Sequence, residues 1–393
     1  MKIIGAKAIR AIGMVGGIAL LAVAVFQPAE AQRHFDPEQG GSLWPNTDFE
    51  THSVPFEEIF SGGVPRDGIP PIDDPMTDTI SAVSEIFEDT EPVVTVAIGG
   101  EARAYPLGIL TRHEIVNDEL GGVPITVTFC PLCNSAVVFD RRVGDQVLDF
   151  GVSGMLRNSD LIMWDRQTES WWQQFLGEGI VGEMTGVQLT MLPVRVESFA
   201  RFVERYPQGT VNVGSTSFGG FNVAYLRNPY VGYDQAEKDP ASQDRPFLFF
   251  GDLPEEVAPL TYVVAVGEEA WTIDALRDAK RVEHNGLVLT WEPGQNSVMD
   301  AGLIREGHDL GNVTVQRKEG GTMTDVVHDV TFAFAFNAFR PDGVIYTDAA
   351  SAAGLTGTLD AVGLSPTMAA IIGVIILVLL AGLAFRMFRK SAS

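Results

Sequence analysis

The chain has 393 residues, 51 of them acidic and 27 basic, for a net charge of −24. A surface this acidic repels phosphate backbones, which excludes nucleic acid as a partner. It points to no specific cationic partner either, since the same charge keeps an exported protein solvated.

Residues 1–31 carry Lys2, Lys7 and Arg10 ahead of an apolar run, with Ala29 and Ala31 where a signal peptidase reads small residues. They are expected to be a removed secretory signal. Residues 367–388 form an apolar segment close to the roughly 20 residues that cross a bilayer as a helix. Arg386, Arg389 and Lys390 lie at its end and favour the cytoplasmic side. The expected product is a single-pass cell-membrane protein whose N-terminal domain lies outside the cytoplasm, periplasmic or on the cell surface. The lipid bilayer is the one partner this assigns. Residues 348–366, rich in Ala, Gly, Ser and Thr, read as a flexible tether, and 389–393 as a cytoplasmic tail.

Residues 32–55 read as an irregular N-terminal segment and 56–347 as the exported domain. Turn residues crowd 61–75, where Asp67, Asp73 and Asp74 read as turn formers rather than calcium ligands. A short helix is expected over 79–87, then a hairpin from 93–98 and 101–105 around Gly99-Gly100. Pro106 opens a helix on which His113 faces inward, and the strand 125–129 delivers Cys130 and Cys133, the only cysteines. A second hairpin is expected from 136–139 and 147–150, and a strand over 161–165. Ser198 is expected to cap a short helix, and 331–339, with alternating Phe332, Phe334 and Phe336, to form a core strand.

The first hairpin has an echo. Residues 260–266 and 269–273 flank Gly267-Glu268, and 275–279 follow as a helix. Thr290-Trp291-Glu292-Pro293-Gly294-Gln295-Asn296-Ser297 aligns without gaps on Thr128-Phe129-Cys130-Pro131-Leu132-Cys133-Asn134-Ser135, and Ala279 stands in for His113. The expected fold is α+β, mainly β: a two-lobed domain with a degenerate internal repeat, plus one C-terminal transmembrane helix. The first lobe spans about 90–210 and the second about 258–347.

The segments 128–141, 150–174 and 227–233, with His113-Glu114 upstream, resemble the domain-of-unknown-function family 3179 across about 56–346 of this sequence. The resemblance implies no activity. It does single out Cys130, His113 and Glu114, the Met163, Asp165 and Arg166 segment, Asn158 in its Asn-Ser-Asp run, and Trp172 and Gln174.

Three functions compete, and whether the protein is an enzyme is open among them. The leading one is a soft-metal or metal-redox site in which Cys130 thiolate and His113 imidazole are ligands, joined by Cys133 or a methionine such as Met163 or Met155. Copper is the favoured ion, with other soft transition metals such as zinc as alternatives. The second is a non-catalytic envelope module stapled by a Cys130–Cys133 disulfide and binding an unassigned partner. The third is thiol-disulfide exchange, weakened because Asn134-Ser135 leads into a strand and not a helix whose dipole would lower a thiol pKa. Glu114, Asn158, Asp165, Arg166, Trp172 and Gln174 are supporting candidates. Hydrolase motifs are absent.

Overall fold

The computed structural model describes residues 34–234 and 245–348. The expected signal, spanning segment and tail, and all of the tether but Asp348, lie outside the described residues. Among the described residues no helix is long and apolar enough to cross a membrane.

The domain is mainly β: five sheets of four or five strands in a propeller-like arrangement, a finer division than two lobes, and one two-stranded hairpin of Arg142–Val143 and Gln146–Val147. Strand Pro92–Ile98, rich in β-branched residues, buries its first five side chains. It pairs antiparallel with Glu101–Pro106 through Gly99 and Gly100, both at positive φ (61° and 87°). A Cβ on Gly99 would lie 3.0 Å from the carbonyl oxygen of Gly121, so this turn accepts glycine for space as well as for conformation.

From that hairpin the chain makes helix Leu107–His113 and then the meander Ile115–Leu120, Val123–Cys130 and Ser135–Asp140. It later returns to the first sheet. Arg195–Ser198 pairs antiparallel with Pro92–Ile98, helix Phe199–Arg205 follows, and Thr210–Ser215 lies parallel to Glu101–Pro106. The second half repeats this order. Tyr262–Val266 and Glu269–Thr272 form the hairpin, helix Ile273–Ala279 follows, and Arg281–His284, Leu287–Glu292 and Asn312–Glu319 form the meander. Asp329–Phe332 returns antiparallel to Tyr262–Val266, helix Ala333–Phe339 follows, and Val344–Tyr346 lies parallel to Glu269–Thr272.

The fifth sheet belongs to the first half alone. It contains Phe150–Arg157, Asp160–Asp165, Trp171–Gln173 and Glu178–Val181, with Ile59–Ser61 at its edge. The N-terminal segment packs on it: Phe35, Trp44 and Phe49 place their rings 4.8–5.6 Å from that of Trp171. The segment 34–55 is largely irregular and mostly exposed, and it contributes Phe35, Trp44 and Val54 to the core.

Four local expectations are corrected. Residues 331–339 are not one strand: the strand ends at Phe332 and Ala333–Phe339 is helical. Every side chain from Thr331 to Phe336 is buried, and a fully buried run carries no alternation to separate strand from helix. Residues 136–139 and 147–150 do not pair. Ser135–Asp140 lies between Val123–Cys130 and Thr190–Met191, while Phe150–Arg157 crosses to the fifth sheet. Ser198 precedes its helix, yet its side chain makes no capping bond; its backbone N–H donates to Asn312 Oδ1 at 2.7 Å. In the second half, the ungapped match to the cysteine loop is not a shared turn. Glu292 pairs with Asn312, so residues 293–311 form a long excursion where the first half turns at once.

Candidate metal centre

Cys130 ends its strand and pairs with Ser135, so Pro131-Leu132-Cys133-Asn134 is the whole hairpin loop. The loop closes with Cys133 N–H donating to Cys130 O and Asn134 N–H to Pro131 O, both at 3.2 Å, with Asn134 at φ 49°. Both cysteines are buried free thiols, not a disulfide. Backbone bonds alone close the turn.

The loop is clamped from the second half of the chain. Phe332 N–H (2.9 Å) and Thr331 Oγ1 (2.8 Å) both donate to Cys133 O, and Asn134 Nδ2 donates to Val330 O. Asp329 accepts from Ser135 Oγ at 2.5 Å and from Ala136 N–H at 3.0 Å. Burial pushes its carboxyl up to about 7.

The fifth sheet closes the other side. Arg157 pairs with Asp160, and the two residues between them, Asn158 (φ 53°) and Ser159 (φ 64°), take the left-handed conformations of a two-residue hairpin turn, one that asparagine favours. The turn aims Ser159 O at the sulfurs, which donate to it at 3.7 Å from Cys130 and 3.6 Å from Cys133. Ser159 Oγ in turn donates to Phe247 O. Asp160 then enters. Its carboxylate and the two Sγ atoms lie within 4.8 Å of one another, all buried. Asp160 Oδ2 accepts from Gln173 Nε2 at 2.7 Å and Phe175 N–H at 3.0 Å, whereas Oδ1 is buried with no N–H or O–H donor; only the two thiols approach the carboxylate on its other side.

No basic side chain is hydrogen-bonded or paired to this cluster among the described residues, and the proton affinities show it. Burial pushes Asp160 up to about 6, and raises both thiols, Cys133 far above the ordinary range. Glu114 is raised to about 8 by burial and by the nearby Asp160 charge. As the C-cap of its helix, Glu114 sits at φ 58°, with its N–H on Leu110 O and its carbonyl accepting from Phe129 N–H.

His113 is not brought to the sulfurs. Its Nδ1 lies 2.7 Å from Pro70 O, a pure acceptor, so that nitrogen carries the proton, and Nε2 accepts from Tyr225 Oη at 2.9 Å. Both nitrogens are engaged and burial lowers the ring's pKa; the three side chains that stand close enough to hold an ion are Cys130, Cys133 and Asp160, without His113. Met163 is fully buried in the same apolar cluster as both cysteines. Met155 borders a neighbouring cavity.

The remaining candidates hold the scaffold. Asp165 accepts from Thr168 N–H and Oγ1 and from the indole of Trp172 at 2.9 Å. Gln174 Nε2 reaches Thr128 Oγ1 at 2.9 Å, tying the fifth sheet to the cysteine strand. Arg166 bridges Asp67 and Asp73. Asp74 accepts from Ser215, Thr216 and Ser217, a long-range tie to another loop and not a bond within its own turn.

The family of proteins of unknown function designated DUF3179 matches residues 66–343. The chain belongs to this family. Its matched span contains every residue of the cluster. No curated protein and no solved structure matches the chain. Asp160 and Ser159, absent from the candidates that the sequence suggests, stand inside the Asn-Ser-Asp run that carries the resemblance; an acid in that run was the available signal.

Proposed function

We propose that this domain binds a thiophilic transition-metal ion through Cys130 Sγ, Cys133 Sγ and Asp160 Oδ1. The observation that carries the reading is the buried three-donor cluster with an unpartnered carboxylate oxygen and no cation beside it. Ionising all three groups would leave three buried negative charges together, which a bound cation relieves. In a tetrahedral site with Zn–S of about 2.3 Å the sulfurs stand about 3.8 Å apart, so a small contraction of the cluster suffices. Two thiolates with a carboxylate suit zinc; cuprous copper would use the sulfur pair and leave Asp160 idle. Raised thiol pKa values, with no helix N-terminus at either sulfur, count against thiol exchange.

The matching strand orders support an internal duplication in which only the first copy kept or acquired a site. The apolar segment at 367–388 supports a domain held at the outer face of a membrane. The test is metal content of the chain purified without a histidine tag under reducing conditions, then offered Zn²⁺ or Cu⁺. About one ion per chain is expected in wild type and His113→Ala, and almost none in Cys133→Ser. Asp160→Asn weakens Zn²⁺ but spares Cu⁺. Wild-type protein that retains neither ion sinks the reading.

A further inference from the structure

We infer that the cavity beside the sulfur pair binds a small neutral organic molecule with an apolar body and one hydrogen-bond acceptor, such as a carbonyl oxygen. This deepens the metal reading of the same site, because the acceptor end would lie next to the ion.

The cavity, partly open to solvent, offers about 130 Å³. Leu132, between the two cysteines, and Leu161, next to Asp160, place it against the cluster, and Val152, Leu156 and Phe247 continue its apolar wall. An apolar cavity of about 150 Å³ accommodates benzene, so the volume fits a ring of roughly six or seven non-hydrogen atoms. Only two polar side chains line it, Glu114 and Tyr230. This is the makeup of a small-molecule site: an apolar enclosure with a few polar groups that fix orientation.

Those two groups define the ligand's polar end. Among the described residues no hydrogen bond reaches the Glu114 carboxyl or the Tyr230 hydroxyl, although both backbones are held, Glu114 as described and Tyr230 by its N–H on Asn228 Oδ1 at 2.6 Å. Burial raises the Glu114 carboxyl, which favours the protonated form that can donate. The phenol, raised by burial, donates too. The Tyr230 hydroxyl and a protonated Glu114 carboxyl are donors on the cavity wall, and they favour a ligand with an acceptor. The buried acids nearby repel an anion.

The probe is cyclohexanone, titrated into the reduced, metal-free full-length chain in detergent and followed through the ¹³C-methyl signal of Met155, which borders the cavity. A saturable shift is expected. Glu114→Leu weakens cyclohexanone about tenfold, the equivalent of one lost hydrogen bond, while toluene, which lacks the acceptor, binds that variant as it binds wild type. Toluene thereby also reports that the variant is folded. Val64→Phe, a loop substitution on the cavity wall, abolishes both shifts. No shift in wild type, equal cyclohexanone affinity in Glu114→Leu, or tighter binding of cyclohexylammonium overturns the inference. A chain that binds metal but not cyclohexanone refutes this inference alone, and one that binds cyclohexanone but not metal refutes only the metal reading.

Discussion

The two halves of the domain share a backbone and differ in what they place on it. Each ends its hairpin helix on a left-handed residue, Glu114 at φ 58° and Lys280 at φ 60°, whose carbonyl accepts from the next aromatic strand residue, Phe129 or Trp291. The strain at Glu114 is therefore a property of the fold and no sign of function by itself. What differs is chemical. Lys280 lays its ammonium 4.0 Å over the Trp291 ring, whereas Glu114 is buried toward a carboxylate and two thiols. Cys130 becomes Glu292, which reaches Arg201 at the surface. The tight loop becomes the 293–311 excursion, and the fifth sheet, which supplies Asp160, is missing. The proposed site draws on the fifth sheet as much as on the cysteines.

The strongest way to break this comparison is to move the sulfurs. Cys130→Ser with Cys133→Ser should lower Zn²⁺ affinity by at least ~10³-fold in a competition titration. Adding Glu292→Cys and Gln295→Cys to that variant should restore nothing, because no buried carboxylate waits there. Recovered binding would show that the thiols alone make the site.

Removing the support of the fifth sheet comes next. Asp165→Ala leaves the Trp172 indole and Thr168 N–H without their acceptor, and should cost about 3 kcal/mol in urea unfolding. A loss under about 1 kcal/mol would mean that the sheet is held by packing alone.

The pH dependence should separate the halves as well. Glu114 titrates near 4.5 in the unfolded chain and at about 8 in the fold, so between those values the folded state holds the extra proton. Stability of the metal-free protein then falls as pH rises through this window, by about 1.4 kcal/mol for each pH unit, and levels off above it. Asp160, Asp329 and Glu91, raised to about 6, 7 and 7, slope the same way. Glu114→Gln should flatten the upper part of the curve, while Lys280→Met leaves its shape unchanged. An unaltered slope in Glu114→Gln would remove Glu114 from the buried acids.

The smallest effects are local. Ser135→Ala takes one of two donors from Asp329 and should cost about 1 kcal/mol, and Lys280→Met about 0.5 kcal/mol through its lost ring contact. Equal losses from the two would erase the contrast between a buried polar joint and a surface one.

Much of this was legible in the residues. Alternation and the Gly99-Gly100 and Gly267-Glu268 turns gave the paired hairpins, and the echo around Thr128 and Thr290 pointed to the matching strand order. The cysteine loop read correctly as a strand turn. Of the buried three-donor cluster the sequence offered Cys130 and Cys133 but not Asp160, which lies 27 residues beyond Cys133 and reaches it only through the approach of two sheets. His113 misled for the same reason: its partners, Pro70 and Tyr225, come from segments no local pattern connects to it. Residues 331–339 failed where periodicity always fails, in a stretch with no solvent face.

Of the two hydrogen bonds that Cys133 O receives, from Thr331 and Phe332, the first spans 198 residues. A chain made from its N-terminus completes this contact almost last. Until the end of the domain emerges, the thiols lack one of their walls and remain open to oxidants and to adventitious metal. Order of synthesis thus sets when the thiols are covered, and a chain truncated before Thr331 should present two reactive thiols where the longer one hides them.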